Sequence, residues 1–313
     1  APAGTLDEQD LSQGPGPHVT PLLAGDLVCA AGVTARLRCL DQTTGRVRWT
    51  HDLVREFGAT VVFRGYSSSP AAVGDFVIVQ AGGKTHSVIA FDAATGRVRW
   101  HGGTHANGNS SPVVVRDADG GPQLVAFLAE VVAAYDLGTG VELWTHPHPQ
   151  RFNDSIAPPL VVDGDVVVSS ALDGGTRRLG LSRSRGAPNR QRWHQPRLAV
   201  YYTNLAAAGG MILSSTGGLG PTFFTAVDAT TGDVLWQTRD LKRSNFVVSG
   251  SRLVMRDEDG ALVLASVSRT GITEHARASV FAEGAPSPPT LVGTTLYARD
   301  RERIAAFSLA APE

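Results

Sequence analysis

Several things are scarce in this chain of 313 residues. It has two cysteines, two methionines and two lysines, and no run of eighteen apolar residues. A membrane-spanning helix is therefore not encoded. The net charge is −1 and the sequence pI is near 6.8. That excludes the concentrated positive field by which nucleic acids and anionic membranes are bound. No Gly-x-Ser-x-Gly elbow sits between a strand and a helix. The GGLG of residues 217–220 lacks the strand–helix setting of a phosphate loop. The sequence opens Ala1-Pro2-Ala3-Gly4, a start expected of a chain processed after export or of a trimmed one.

What is abundant is turn chemistry, with 35 glycines and 18 prolines, and a phrase that recurs. LDQTTGRVRW, FDAATGRVRW, YDLGTGVELW and VDATTGDVLW end at Trp49, Trp100, Trp144 and Trp236, and Trp193 closes a degenerate version, SRSRGAPNRQRW. The intervals are 51, 44, 49 and 43 residues, the period of propeller blades. The phrase encodes a hairpin. Asp accepts hydrogen bonds from amides just downstream, Thr supports the same turn, and Gly supplies the positive φ that closes a bulged hairpin. The small residues Ala90, Ala134 and Ala226 leave room for a large neighbour, and the tryptophan is that neighbour.

Each phrase is preceded by Pro, an apolar stretch and a turn, as in TPLLAGDLVCAA and SPAAVGDFVIVQA. Proline suits a strand entrance because its missing N–H costs no ladder bond there. Each unit thus holds four short strands, and radial repetition of such units is a β-propeller. Units begin near Val19, Ser67, Ser110, Ser155, Tyr202, Ser244 and Pro286, which makes seven. The expectation is an all-β, seven-bladed β-propeller of four-stranded antiparallel blades occupying residues 1–313 as a single domain. An eight-bladed or incomplete eight-bladed ring is the alternative. The last unit stops after three strands, and residues 1–17 could supply the missing one.

Cys29 and Cys39 lie symmetrically about a turn near residue 34, and so face each other across a hairpin. They are either two small buried hydrophobes or a cross-strand disulfide, and the second implies an oxidising compartment.

With these motifs the chain resembles the PQQ-like propeller repeat family, whose tryptophan-docking motif is Ala-x-Asp-x-x-x-Gly-x-x-x-Trp. The match is strong at 90–100 and 134–144 and clear at 39–49 and 226–236. The resemblance implies that Trp49, Trp100, Trp144, Trp193 and Trp236 each pack on the neighbouring blade. It also implies one of two roles: PQQ-dependent dehydrogenase, or quinone-free scaffold of the BamB-like and uncharacterised exported bacterial type. The enzymes are expected to carry adjacent cysteines, a tryptophan floor and calcium ligands. Here the cysteines are ten apart, every tryptophan sits at a docking position, and no convergent acidic set is evident. The balance favours binding over catalysis, with no cofactor and no metal site. A quinoprotein-type or other propeller enzyme with its site at the channel mouth is the alternative, and a metal site using His105 and His148 a third reading.

The candidate binding surface is the set of loops that lead from each tryptophan strand to the next inner strand. They carry Arg64 and Tyr66, then Asn107 and Asn109, then Arg151, Asn153 and Asp154. Further on they carry Tyr201, Tyr202 and Asn204, then Arg243 and Asn245. Tyr and Arg give contact area with directional hydrogen bonds, which suits a protein or small-molecule partner. The whole reads as a monomeric binding or scaffold module outside the cytoplasm, periplasmic or secreted, with no nucleic-acid partner.

Overall fold

The computed structural model describes residues 18–62, 65–116, 120–151, 155–171, 173–181, 190–216, 220–284 and 287–310. The proposed closing segment 1–17 lies outside them. Among the described residues, 27 strands form seven antiparallel sheets in sequence order, six of four strands and the last of three. This is the sheet set of a seven-bladed β-propeller. Each sheet is a simple meander, so every strand pairs with its neighbour in the chain. The one helix among the described residues is a single turn, Leu53–Phe57. Asp52 caps it by accepting from Arg55 N, and Gly58 ends it at φ 66°. The chain divides into two compact units, residues 1–174 with 179–191 and residues 175–178 with 192–313.

The first sheet shows how the phrase builds a blade. Its strands are Leu22–Ala24, Leu27–Ala31, Arg36–Asp41 and Val47–Asp52. Asp41 Oδ1 accepts from Thr44 N and Thr44 Oγ1, both at 2.8 Å. Gly45, at φ 68°, donates its N–H to Asp41 O at 2.9 Å. The same bonds recur at Asp92 with Thr95 and at Asp136 with Thr139. At Asp228 the Thr231 hydroxyl turns to Asp233 instead.

Just before each turn, the tryptophan pairs across the sheet with a small residue. Ala90 faces Trp100, Ala134 faces Trp144 and Ala226 faces Trp236, and in the first sheet Cys39 takes the alanine's place opposite Trp49. A register shift follows each pair, so the strand bulges there and its twist increases. Cys39 is also the register partner of Cys29. The structure joins the two as a disulfide, with Cα atoms 4.1 Å apart and both residues wholly buried.

The tryptophans then fasten one sheet to the next. Trp49 Nε1 donates to Ala93 O at 2.7 Å, Trp100 Nε1 to Leu137 O at 2.8 Å and Trp193 Nε1 to Ala229 O at 3.0 Å. Each acceptor is the carbonyl of the residue after the next sheet's turn aspartate. The indole rings lie on the turn glycines. A Cβ built on Gly96 would stand 2.7 Å from Trp49 Cγ, on Gly140 2.5 Å from Trp100 Cε3, and on Gly232 2.6 Å from Trp193 Cδ2. The glycine is thus required twice, for its positive φ and for the space the ring occupies.

Two tryptophans differ. Trp144 packs with Val166, Val168 and Leu179 of the fourth sheet, but its Nε1 donates to Gln123 Oε1 of its own sheet at 3.0 Å. The sequence between the third and fourth strands of the fourth sheet carries no Asp-x-x-Thr-Gly phrase. Trp236 Nε1 donates to Ser268 O at 2.9 Å, in a turn reading Val267-Ser-Arg-Thr-Gly271. That turn is a fifth copy of the phrase with its aspartate replaced. Arg269 in it reaches back to Asp228 Oδ2 at 2.5 Å.

Two predictions follow from these turns. Gly96→Ala places a methyl in the indole and a side chain at φ 72°, and is expected to cost about 2–4 kcal/mol from overpacking plus left-handed strain. Gly45→Ala carries only the strain, about 1 kcal/mol, since no described atom lies within 4 Å of its Cβ position. Urea unfolding of the two variants checks the difference. Asp228 supplies a pH dependence. The Arg269 hydrogen bond, with the amides of Thr231 and Thr230, holds its carboxyl at about 2, below the ordinary 3.8. A depressed carboxylate stabilises above its unfolded pKa. This contribution is therefore full above about pH 4 and vanishes as pH falls towards 2. Asp228→Asn should flatten the acid limb of a stability-versus-pH curve in that window, and an unchanged limb would contradict the assignment.

Candidate functional site

Nine of the twelve loop residues singled out from the sequence fall among the described residues. Arg64, Asn153 and Asp154 lie outside them. The structure distributes the nine between the two units, four in the first and five in the second.

In the first unit, Tyr66 is 1% exposed and its hydroxyl donates to Gln80 O at 2.8 Å. Burial pushes its phenol well above the usual tyrosine range. Asn107 is buried as well. Its Oδ1 accepts from Gln80 Nε2 at 2.9 Å, and its N–H donates to Thr60 Oγ1 at 2.9 Å. Asn109 is half-buried and links three sheets. Its Oδ1 accepts from Ser67 Oγ at 2.7 Å, and its N–H donates to Ser155 O at 2.8 Å. Arg151 alone of this set is exposed, its side chain at 70%, in an ion pair of 2.9 Å with Asp173.

The second unit repeats the device. Asn204 is half-buried and bonds the next inner strand twice: Nδ2 donates to Phe246 O at 2.9 Å and Oδ1 accepts from Phe246 N at 3.1 Å. Asn245 is buried and its Nδ2 donates to Tyr202 O at 3.2 Å. Tyr201 and Tyr202 have ring centroids 3.9 Å apart, with Tyr201 buried and Tyr202 half-buried. Arg243 is half-buried and stands 4.0 Å from Glu258.

The amides on these loops thus serve the scaffold. A buried donor or acceptor left unpaired costs about 1–3 kcal/mol, so side-chain amides facing a neighbouring strand are consumed in bonding it. The serines at the strand entrances act alike. Thr20 N donates to Ser69 Oγ and Ser69 N to Ser111 Oγ, each at 2.9 Å, linking the first three sheets in a relay.

Three histidines on and after the tryptophan strands, His51, His105 and His148, are each bonded within the protein. His51 is half-buried, between Glu56 at 2.7 Å and the carbonyl of Gly96 at 2.8 Å, and stacks on Phe91 at 4.5 Å. His148 is wholly buried, bonded to Ser170 Oγ at 2.8 Å and set edge-on to Phe127. His105 pairs with Glu142 at 2.9 Å. The structure does not bring His105 and His148 to a shared ligand set. Among the described residues, no group of three or more His, Cys, Asp or Glu side chains is placed to hold a metal ion.

The residues a quinone would need do not fit one here. All five indole N–H groups are bonded at sheet junctions or within their own sheet, and both cysteines are tied to each other inside the first sheet.

Sheets of this pattern joined by indole-on-glycine docking define a β-propeller of the PQQ-like repeat class. The chain belongs to the family described as outer membrane protein assembly factor BamB, whose family model matches residues 4–238. Among solved structures, it resembles BamB from Moraxella catarrhalis, with 20% identity and a TM-score of 0.68, covering 92% of this chain and 81% of that one. It resembles the computationally designed Ika8 protein, with 14% identity and a TM-score of 0.66, covering 94% and 84%. It also resembles the quinohemoprotein alcohol dehydrogenase from Comamonas testosteroni, with 14% identity and a TM-score of 0.62, covering 94% and 64%. None of the curated proteins compared matches significantly in sequence. At these identities the likenesses show the fold, and the fold alone does not choose a function.

The amide lacing is testable. Asn204→Leu removes both bonds to Phe246 and leaves a buried carbonyl and amide unpaired. A loss of about 2–4 kcal/mol is expected in urea unfolding, against less than about 0.5 kcal/mol for Arg151→Ala at the exposed pair.

Proposed function

We propose that this protein is a non-catalytic propeller that acts, as a monomer outside the cytoplasm, as a binding or scaffold module for a protein or small-molecule partner. The observation that carries the reading is the way the repeat uses its residues. The docking phrase, the loop amides, the strand-entrance serines and the buried histidine are all engaged in joining sheets. The loop side chains of the recognition kind that are at least partly exposed are Arg151 in the first unit and Tyr202 and Arg243 in the second. The remaining loop residues Arg64, Asn153 and Asp154 belong to the same proposed surface. The family assignment supports a scaffold role, since BamB is described as an assembly factor.

Location outside the cytoplasm is supported by the Cys29–Cys39 bond, because such bonds persist in oxidising compartments. Closing a loop of this size stabilises by about 3 kcal/mol in the chain-entropy account. Reduction of the purified protein should therefore lower its urea midpoint. Protein taken from its native source should resist thiol alkylation until reduced. Free thiols in that material would argue against export.

The function itself is tested at the loops and with the quinone. A photo-crosslinking residue at position 151 or 202 should capture a partner that one at position 273, on an outer strand, does not. Equal capture at all three positions would remove the loops from the proposal. Pyrroloquinoline quinone with Ca²⁺ should leave the thermal midpoint unchanged. A rise requiring both components would establish the quinoprotein alternative.

A further inference from the structure

Two histidines meet in the second sheet, within the first unit, at the end away from its docking turn. His101 is the next-to-last residue of the outer strand Val98–Gly102, and His86 stands two residues before the strand Val88–Asp92 that pairs with it. Val88 is the register partner of Gly102, and Ser87 N donates to Gly103 O at 3.3 Å, so the ladder holds the two backbones against each other. The imidazole centroids are 4.3 Å apart and the ring planes are inclined at 49°. His101 is exposed, and His86 is half-buried with Phe57 set edge-on against it.

That spacing is the one a shared metal ion requires. A metal held at about 2.1 Å by one nitrogen of each ring keeps the ring centres about 4.5 Å apart when its two bonds stand at a right angle, and about 5.2 Å apart when they are tetrahedral. The observed distance matches the right angle, which is the tetragonal geometry of copper(II) and nickel(II) rather than the tetrahedron of zinc. The His86 ring is also prepared to ligate. Two oxygens, Thr85 Oγ1 at 2.6 Å from Nδ1 and the carbonyl of Phe57, are on hand for the single proton of the neutral ring. A metal-bound imidazole gives its other N–H to a partner of this kind. Burial, and after it the neighbouring His101, hold the His86 pKa below its ordinary value. The ring is therefore neutral at pH 7, the form that binds metal.

The third histidine in this region, His51, stands on the other side of Phe57 and is already committed, one ring nitrogen to Glu56 and the other to Gly96 O. No third His, Cys, Asp or Glu completes a ligand set among the described residues. A metal on the pair thus keeps its remaining positions for water or for an incoming donor.

We propose that His86 and His101 form an open two-imidazole site for copper(II). This site is separate from the loop surface and does not depend on the function proposed for it. Copper(II) stands highest among the divalent first-row ions for nitrogen ligands, and two cis imidazoles supply half of its preferred square.

Copper(II) titration of the full chain, followed by calorimetry and electron paramagnetic resonance, tests the site. Expected are one ion bound per chain, a hyperfine pattern of two imidazole nitrogens, and broadening of the His86 and His101 ring resonances at lower copper than those of any other histidine. His101→Ala should weaken binding at least tenfold. Because that side chain is exposed, the variant should keep the urea midpoint of the metal-free protein, so that lost binding is not lost fold. His275→Ala, at an exposed histidine of the sixth sheet, should leave the affinity unchanged. A one-nitrogen spectrum, an affinity unmoved by His101→Ala, or an equal loss in His275→Ala would overturn the proposal.

Discussion

The structure depends on an indole laid on a glycine. A docking tryptophan does two things at once. It packs its large indole ring at the junction of two sheets and, at every one but Trp144, donates its one N–H to a carbonyl of the next sheet. The turn that receives it must curve tightly and carry no side chain. Asp-x-x-Thr-Gly meets both demands, because the aspartate and threonine fix the curve and the glycine leaves the seat. The phrase is repeated because the junctions it serves pose the same packing problem.

That constraint explains how residues with chemical potential become structural. Sheets fastened at their outer strands bring the inner strands close, and the polar groups there lose water. Asn204 satisfies a neighbouring strand's backbone, Asn245 donates to the carbonyl of Tyr202 on the preceding loop, Asn109 accepts from the Ser67 hydroxyl, Ser69 and Ser111 pass a hydrogen bond from sheet to sheet, and His148 closes on Ser170. Residue types that suggest a site in a sequence are, in a repeat of this kind, the means by which strand entrances are joined. Arg151 is exposed in an ion pair with Asp173, and Tyr202 and Arg243 are half-buried.

Much of this was legible in the sequence, and the reason is periodicity. Four copies of one phrase fixed the strand order, the turn positions and the identity of the docking tryptophans, because turn chemistry is local. The three-stranded last sheet was visible as a unit that ends at RIAAFSLA. What was not legible depends on partners distant in the chain. The copy at 267–271 was hidden because valine replaces the aspartate, and only Trp236 landing on Ser268 exposes it. The bond from Trp144 to Gln123 joins residues 21 apart and has no counterpart in the repeated phrase. Asn107 and Tyr66 read as rim residues, but their burial comes from Gln80, far along the chain. Cys29 and Cys39 could be placed face to face, yet spacing alone left their oxidation state open.

The central claim is that ring and seat form one interacting unit, and a double-mutant cycle on Trp100 and Gly140 tests it most directly. If the methyl of Gly140→Ala costs stability by striking the indole, most of that cost must disappear in a Trp100→Ala background. A coupling of more than about 1 kcal/mol is predicted, well beyond the few tenths found between independent sites. Additive effects of the two substitutions would show that the glycine serves the turn alone, and that the repeated phrase is not a docking device.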